Sequence, residues 1–318
     1  MPILIIESLR DPHITSVIDC LVKLNVKYIL IDPWEGAAGS FLRFSVGKAE
    51  LNGRIETELC DLRPEDINAV WRRWKPPLTP DVLSLDYKEQ EFLRNEWTHF
   101  LSPLETFLRH AYWINSREAT HRWSNKITQL QAAQKLGLSI PETLVTNSPD
   151  RVSGFIAQHD TVIYKPLTYY IDQDKVLYTN RITLESVRTN PGAVVVAPGI
   201  FQEEIEKAYE LRVTVVEDRI FALKIIPEGD SASRLDWRRN QIDRSYYDYQ
   251  LDTTLASLLL KFHAMTGLKY AAYDLIVTKN GQPIFLEVNP SGQWLWLELQ
   301  TGIAVSQAIA EALSATEM

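Results

Sequence analysis

At 318 residues the chain is long enough for one large domain or two to three smaller ones. Its formal net charge of −8 argues against general binding to a nucleic-acid backbone. Two isolated cysteines, Cys20 and Cys60, form neither a CxxC pair nor a disulfide framework, which points to a reduced, cytoplasmic setting, and no apolar stretch reaches the length of a membrane span.

Ile3–Ile6, with Glu7 close behind, reads as a strand and not as a signal peptide. A helical pattern through Ile14, Ile18, Leu21 and Leu24 follows, then a strand over Tyr28–Ile31, so a β-α-β unit opens a small parallel α/β domain. Residues 39–58 suggest short strands, and Ala69–Trp71 another. Between Asp86 and His110 the apolar residues Leu93, Trp97, Phe100, Leu101, Leu104 and Leu108 form one face of a long helix with a bend expected before Pro103. A polar stretch over 115–125 marks a first boundary. Next come a helix over Lys126–Leu136, stopped by Gly137 and Pro141, strands over Thr161–Lys165 and Lys175–Thr179, and a short helix over Leu184–Arg188. Phe201–Ile205 opens a third portion, with strands over Leu211–Val216 and Ile220–Ile226 and a helix from an Asp252 N-cap to Gly267. A hairpin and a last helix over Ala304–Leu313 close the chain.

The hairpin is the most informative segment. Two apolar runs flank Asn280-Gly281, a signal for a two-residue turn. Pairing about that turn puts Asp274 opposite Glu287, with Asn289 on the same face two residues on. Facing carboxylates about 5 Å apart would repel by roughly 3 kcal/mol at an effective dielectric of ~20. Exposure to solvent, protonation or an arginine partner could relieve this. So could a divalent cation, and a donor set of Asp, Glu and Asn without His or Cys suits Mg²⁺ or Mn²⁺ and not zinc.

No Walker A motif and no GxGxxG occurs, so a P-loop or dinucleotide site has no support. Instead Lys126 stands at a helix start, Lys165 ends a strand, and Gln202-Glu203-Glu204-Ile205 forms a short link. Glu210 and Arg212 follow, then Asp274, Glu287 and Asn289. In this order the residues resemble the ATP-grasp superfamily over roughly residues 1–315. The resemblance implies an α/β (α+β) ATP-grasp fold with an N-terminal pre-ATP-grasp domain over 1–118, a central subdomain over 119–200 and a C-terminal subdomain with the metal site over 201–318. It also implies ATP as cosubstrate. Lys126 and Lys165 would neutralise its phosphates; Glu203, Glu204 and Ile205 would read the adenine at a hinge; Glu210 would accept from the ribose. Asp274, Glu287 and Asn289 would hold two Mg²⁺ ions, for which Mn²⁺ can substitute. Arg212, with Lys165, would stand beside the transferred phosphoryl group, the alternative being a surface ion pair between Arg212 and Glu210. The implied reaction is a carboxylate's attack on the γ-phosphate, followed by displacement of phosphate from the acylphosphate. It needs no covalent enzyme nucleophile, in keeping with the lack of a Ser/His/Asp or Cys/His constellation. One departure is plain: Pro166–Asp172, after the second lysine, holds none of the flap glycines common in the family.

Within the superfamily, Asp236-Trp237-Arg238-Arg239 and the run from Asn289 to Glu298 resemble the ligases of graspetide (microviridin-type) biosynthesis. These join acidic side chains of a ribosomally made precursor peptide to Ser or Thr hydroxyls, or to a Lys amine. On that resemblance Arg238 and Arg239 would grip the acidic core of the precursor, and Asp236 and Ser291 would line its path. Trp294 and Trp296 would form an aromatic rim, and Glu228–Tyr249 would be a loop over the site. A homodimer fits the resemblance; no nucleic-acid or membrane partner is expected. Two other readings stay open: a ligase adding a free amino acid such as glutamate, and a nucleotide-binding module without catalysis.

Overall fold

A computed structural model describes residues 2–32, 40–46, 51–57, 61–73, 85–168, 171–172, 175–176, 179–227 and 244–315. The chain opens with β1 (Ile3–Ile6), α1 (Pro12–Lys23) and β2 (Tyr28–Ile31). The antiparallel strands β3 (Ser40–Val46), β4 (Leu51–Thr57) and β5 (Asp61–Leu62) follow. Next come β6 (Ala69–Trp71), the long helix α2 (Tyr87–Phe107) with Pro103 inside it, and β7 (Tyr112–Ile114). Strands β1, β2, β6 and β7 form a parallel sheet in the order β2-β1-β6-β7. All four residues of β1 are buried, as expected of a parallel strand covered on both faces. Ile3 and Ile5 pack with Ile14, Val17 and Leu21 of α1. Leu4 and Ile6 pack with Leu101, Leu104 and Leu108 at the end of α2.

A short helix absent from the sequence reading, α3 (Arg117–Trp123), occupies most of the polar stretch, with Ser116 as its N-cap. Then α4 (Lys126–Lys135) begins at an Asn125 cap. The central sheet has the order β12-β9-β13-β8, built from β8 (Thr143–Thr146), β9 (Val162–Pro166), β12 (Asn180–Ile182) and β13 (Gly199–Glu203). The short pair β10 (Ile171–Asp172) and β11 (Lys175–Val176) lies between β9 and β12 in the chain. Helices α5 (Pro149–Ile156), α6 (Leu184–Thr189) and α7 (Pro191–Val196) cover one face through Val152, Val187 and Val194 against Val162 and Phe201. Strand β13, which straddles the expected boundary at 200/201, pairs on both sides inside this sheet.

The third sheet is antiparallel, in the order β16-β15-β14-β17-β18. Its strands are β14 (Lys207–Val216), β15 (Arg219–Pro227), β16 (Arg244–Asp248), β17 (Tyr270–Thr278) and β18 (Pro283–Asn289). Leu211, Val213, Tyr273, Leu275, Phe285 and Val288 point to one face, where Leu259 and Phe262 of α8 (Thr253–Thr266) and Leu130 and Ala133 of α4 meet them. Each such large side chain taken out of water contributes roughly 1.5–3 kcal/mol. Helix α8 has the expected Asp252 cap, and Gly267 ends it at φ +70°. The alternation of strand side chains sends Glu210, Arg212, Asp274, Glu287 and Asn289 to the opposite face.

Two helices close the chain, α9 (Leu295–Thr301) and α10 (Val305–Ser314). Helix α10 returns to the first sheet and shares one packed layer with Ile3, Ile5 and α1. No helix among the described residues is long and apolar enough to cross a membrane.

Candidate active site

The hairpin brings the expected acidic residues together by a route that differs from the expected one. Gly281 donates to the Thr278 carbonyl (2.9 Å) and Thr278 donates to the Gln282 carbonyl (3.0 Å). The loop is therefore the three residues Lys279–Gly281, with Gly281 at φ +82°, the geometry in which a left-handed glycine closes a three-residue turn. That register pairs Leu275 with Phe285 and, continued unbroken, would set Leu286 opposite Asp274 and turn Glu287 toward the core. A bulge at Leu286 intervenes, and beyond it Asp274 pairs with Glu287, Tyr273 with Val288 and Ala272 with Asn289. The extra residue restores the facing pair.

Each carboxylate on this face has a cation beside it. Arg212, directly opposite Asp274 across β14 and β17, donates from Nη1 to Asp274 Oδ1 at 2.8 Å. Lys126, the first residue of α4, reaches Glu287 Oε2 at 2.8 Å. Lys207 contacts Glu210 Oε1 at 2.6 Å. The alternative pairing of Arg212 with Glu210 is not the one adopted. Burial raises the Asp274 carboxyl above its ordinary value, and Glu287 and Glu210 push the same way against Arg212. Burial also works against the charge on Arg212, which is only 5% exposed, yet Asp274 holds its pKa above the ordinary value.

Asn289 Oδ1 accepts from the Ser291 N–H at 2.9 Å, so the side chain orders the turn that follows it. Lys165 stands on the central sheet and donates to Gln202 Oε1 (2.7 Å), whose amide is oriented by its own bond to Thr143 Oγ1 (2.8 Å). At the expected hinge, the Glu203 N–H donates to the Glu142 carbonyl (3.0 Å) and the Glu203 carboxylate accepts from the Glu142 N–H at 2.8 Å. Glu204 gives its carboxylate to Arg181 in a bidentate pair of 2.6 and 2.7 Å. Glu203 and Ile205 line a cavity of about 450 Å³ together with Gln134, Leu138, Ile140 and Ile284.

Two expectations need correction or fall elsewhere. Trp294 is no rim residue: it is 1% exposed, packed on His13, Trp71 and Tyr270, and its indole N–H donates to Ser306 Oγ. Trp296 is half-buried, edge-on to Tyr246 at 5.1 Å. Asp236, Arg238 and Arg239 lie outside the described residues, as does most of the expected loop over Glu228–Tyr249; its end is the strand β16.

Several residues that shape the site carry no sequence signal of their own. Gln129, 2% exposed, donates to the Val288 carbonyl (2.8 Å) and accepts from the Val288 N–H (3.0 Å). It acts as a substitute strand along the open edge of β18 and ties α4, with Lys126, to the acidic hairpin. Asn115 bonds both Tyr270 backbone groups and the Pro290 carbonyl. Lys207 is the partner of an expected residue and was not itself expected, and Gln202, quoted in the hinge motif, was given no role there.

The face suits a hard divalent cation, since its donors are all oxygens, two carboxylates and a carboxamide. Arg212 Nε, buried on it without a hydrogen-bond partner among the described residues, suits an anionic oxygen. No three His, Cys, Asp or Glu side chains cluster as a closed cage among the described residues. Mg²⁺ is ordinarily bound in this way, by one or two carboxylates with phosphate oxygens of a substrate completing the shell.

A sheet face with opposed acids and flanking cations, in a chain whose central sheet also carries a lysine, fits an ATP-grasp enzyme. The model of the RimK-like ATP-grasp domain matches residues 123–313, more than half of the chain, and the chain belongs to that family of ATP- and Mg²⁺-dependent ligases. Comparison with curated proteins yields no match. Among solved structures, the chain is similar to a Chryseobacterium gregarium RiPP-associated ATP-grasp ligase in complex with ADP and a leader and core peptide: 28% identity, 99% of this chain and 97% of that one covered, TM-score 0.84. It is similar to macrocyclase MdnC bound with precursor peptide MdnA from Microcystis aeruginosa MRC, at 29% identity, 99% and 100% coverage and TM-score 0.84. Macrocyclase MdnB of the same organism matches at 28% identity, 98% coverage of both chains and TM-score 0.76.

Proposed function

We propose that this chain activates Asp or Glu side chains of a ribosomally made, acidic-core precursor peptide with ATP and closes side-chain ester or amide macrocycles. The observation that carries the ligase chemistry is the single sheet face on which Arg212, Asp274, Glu287 and Asn289 meet, with Lys126 reaching across to it. The peptide substrate is supported by likeness over 99% of the chain to two ligases described with bound precursor peptides.

In this reading Lys126 and Lys165 hold the nucleotide phosphates, and Glu203, Glu204 and Ile205 border the adenine beside the cavity they adjoin. Because the Glu204 carboxylate is taken by Arg181, Glu204 contributes through its backbone. Glu210 accepts from the ribose. Asp274, Glu287 and Asn289 are the residues that hold Mg²⁺, two ions by family resemblance, with Mn²⁺ as a substitute. The bound cation supplies charge neutralisation between phosphate oxygens. Arg212, fixed by Asp274 on one side and the Gln293 carbonyl on the other (3.0 Å), stabilises the charge of the transferred phosphoryl group. A substrate carboxylate oxygen bonds to the γ-phosphorus and ADP leaves. A Ser or Thr hydroxyl, or a Lys amine, then bonds to the acyl carbon, and phosphate and a proton leave. Each ring closed costs the peptide one water. Asp236, Arg238, Arg239 and Ser291 face the peptide. The portions 1–118, 119–200 and 201–318, a homodimeric state and a cytoplasmic setting belong to the same reading.

Burial of Trp294 removes one residue expected along a peptide path, so a ligase adding a free amino acid such as glutamate to a peptide or small substrate is the second reading. Incubation of an acidic-core precursor peptide with the protein, ATP and Mg²⁺, followed by mass spectrometry, separates the two. ATP-dependent loss of one or more waters supports macrocyclisation. An unchanged peptide, with ADP formed only on addition of free amino acids, transfers the proposal to the second reading.

A further inference from the structure

The turn from Pro290 to Trp294, which follows Asn289 directly, is held by Asn289, Tyr270 and Arg212 of its own sheet and, from outside that sheet, by Asn115, Arg73 and His13. One grip reaches it from the N-terminal sheet. Arg73, two residues beyond β6 and 3% exposed, donates from Nη2 to the Gly292 carbonyl (3.3 Å) and the Ser291 carbonyl (3.5 Å). Its Nη1 pairs with Asp11, its guanidinium lies over the Trp294 ring at 4.9 Å, and its backbone N–H donates to Glu7 at 2.6 Å. Asp11 holds a second arm of the same device. Its other oxygen contacts His13 Nδ1 at 2.7 Å, and His13 Nε2 accepts from the Trp294 N–H at 3.3 Å. That pair of contacts fixes His13 as the Nδ1–H tautomer.

The turn in turn touches the proposed chemistry at two places. The Gln293 carbonyl accepts from Arg212 Nη2 (3.0 Å), and Asn289 is bonded twice into the turn, by the Ser291 N–H at Oδ1 (2.9 Å) and by the Gly292 N–H at its carbonyl (3.2 Å). A buried guanidinium that bridges a carboxylate and two carbonyls has a fixed direction. The path from Asp11 through Arg73 to the turn is therefore a rigid connection between the first sheet and the cation-binding face.

We infer that Arg73, oriented by Asp11, is a positioning residue that sets Asn289 and Arg212 from the N-terminal sheet; the inference rests on the reading of Asp274, Glu287 and Asn289 as the cation-binding set. Loss of a group that orients a metal ligand ordinarily costs 10–100-fold in metal affinity or activity, and about tenfold is expected here.

The test measures Mn²⁺ binding by electron paramagnetic resonance in saturating ADP, with thermal unfolding followed alongside. Arg73→Met should weaken Mn²⁺ by about tenfold, and Arg73→Lys and Asp11→Asn should fall between it and the wild type. Leu21→Ala, in the same packed layer without a bond to the turn, should lower the melting temperature and bind Mn²⁺ as the wild type does. Wild-type affinity in a folded Arg73→Met or, if that variant does not fold, in Arg73→Lys and Asp11→Asn, overturns the inference. So does an equal loss in Leu21→Ala, which would reduce Arg73 to general packing. If the wild type binds no Mn²⁺ with ADP, or Glu287→Gln binds it as tightly, the cation-site reading itself fails and takes the inference with it.

Discussion

Gly292→Ala tests whether the turn after Asn289 has to lie where it does. A β-carbon at this position would stand 2.5 Å from the Ala272 β-carbon, 2.8 Å from Arg212 Nη2 and 3.4 Å from the Asn289 carbonyl oxygen. Ala272 belongs to β17, paired on both sides inside the five-stranded sheet, and cannot retreat. The turn must rise by about 1 Å to clear Ala272, and Arg212 must yield as well. These movements strain the Tyr270 hydroxyl bond to the Gly292 carbonyl (2.8 Å) and the Arg212 bond to Gln293. Overpacking of this kind costs about 1–3 kcal/mol of stability, and a displacement of about 1 Å at a reacting centre can cost 10²-fold in rate. Urea unfolding should therefore show a loss of about 2 kcal/mol, and ADP formation under saturating substrates should fall roughly 100-fold. Gly281→Ala is the control. Its site has φ +82° and no neighbour within 4 Å, so alanine is strained there by about 1 kcal/mol while kcat stays at the wild-type level. A Gly292→Ala protein with kcat within twofold of the wild type refutes the argument, because Arg212 and Asn289 would then tolerate displacement.

Three further outcomes are expected. Lys126→Met frees Glu287 from its lysine; calorimetry should show Mn²⁺ alone binding at least as tightly as to the wild type while ADP binds more weakly, and weaker binding of Mn²⁺ alone would contradict the opposition of lysine and cation at Glu287. Glu287→Gln should abolish turnover and leave the far-ultraviolet circular dichroism unchanged, since the residue is half-exposed; unchanged ADP production would sink its assignment as a cation ligand. Burial pushes the Glu7 carboxyl up from 4.5 to about 7, so the folded chain holds a proton that the unfolded chain releases first. The stability from this group is present below pH 4.5 and is lost as pH rises through 7. Glu7→Gln should match the wild type at pH 4 and exceed it at pH 8, by roughly 3 kcal/mol at most, in denaturant titrations at the two pH values. A wild type more stable than Glu7→Gln at pH 8 would refute that sign. Burial pushes His263 the other way, from 6.5 down to about 4. Its contribution is present above pH 6.5 and is lost as pH falls through 4, so the two groups oppose each other across the mildly acidic range and the wild-type profile is flatter than that of Glu7→Gln.

Part of the fold was legible because its signals are local: the Asp252 cap and Gly267 end of α8 and the alternation along β14 and β17 are carried by a few neighbouring residues. The order Lys126, Lys165, Glu210, Arg212, Asp274, Glu287, Asn289 was read from a family resemblance, and the facing of Asp274 and Glu287 from the hairpin pattern. What was not legible depends on segments distant in the chain. Trp294 looks like a rim residue beside Asn289 and becomes core only because residues near positions 13, 71 and 306 converge on it. Gln129 looks like an ordinary polar residue on a helix; only the open edge of β18, more than a hundred residues away, turns it into a substitute strand. The grip of Arg73 on the turn likewise joins residues more than two hundred positions apart, for which no window of sequence carries a pattern.

The hairpin shows why a correct facing pair does not certify the turn that was used to infer it. A two-residue turn would bring Asp274 and Glu287 together without a bulge. The three-residue turn closed by Gly281 brings them together only because Leu286 is extra. Either departure alone would turn Glu287 and Asn289 inward against Phe262 and Tyr273, where two polar groups would lose hydration at several kcal/mol. The two departures are therefore coupled: once the loop has three residues, only a bulged β18 can deliver both oxygen ligands to the face where Arg212 and Lys126 stand. The bulge belongs to the site as fully as the carboxylates do, and it sits one residue before the one it aims.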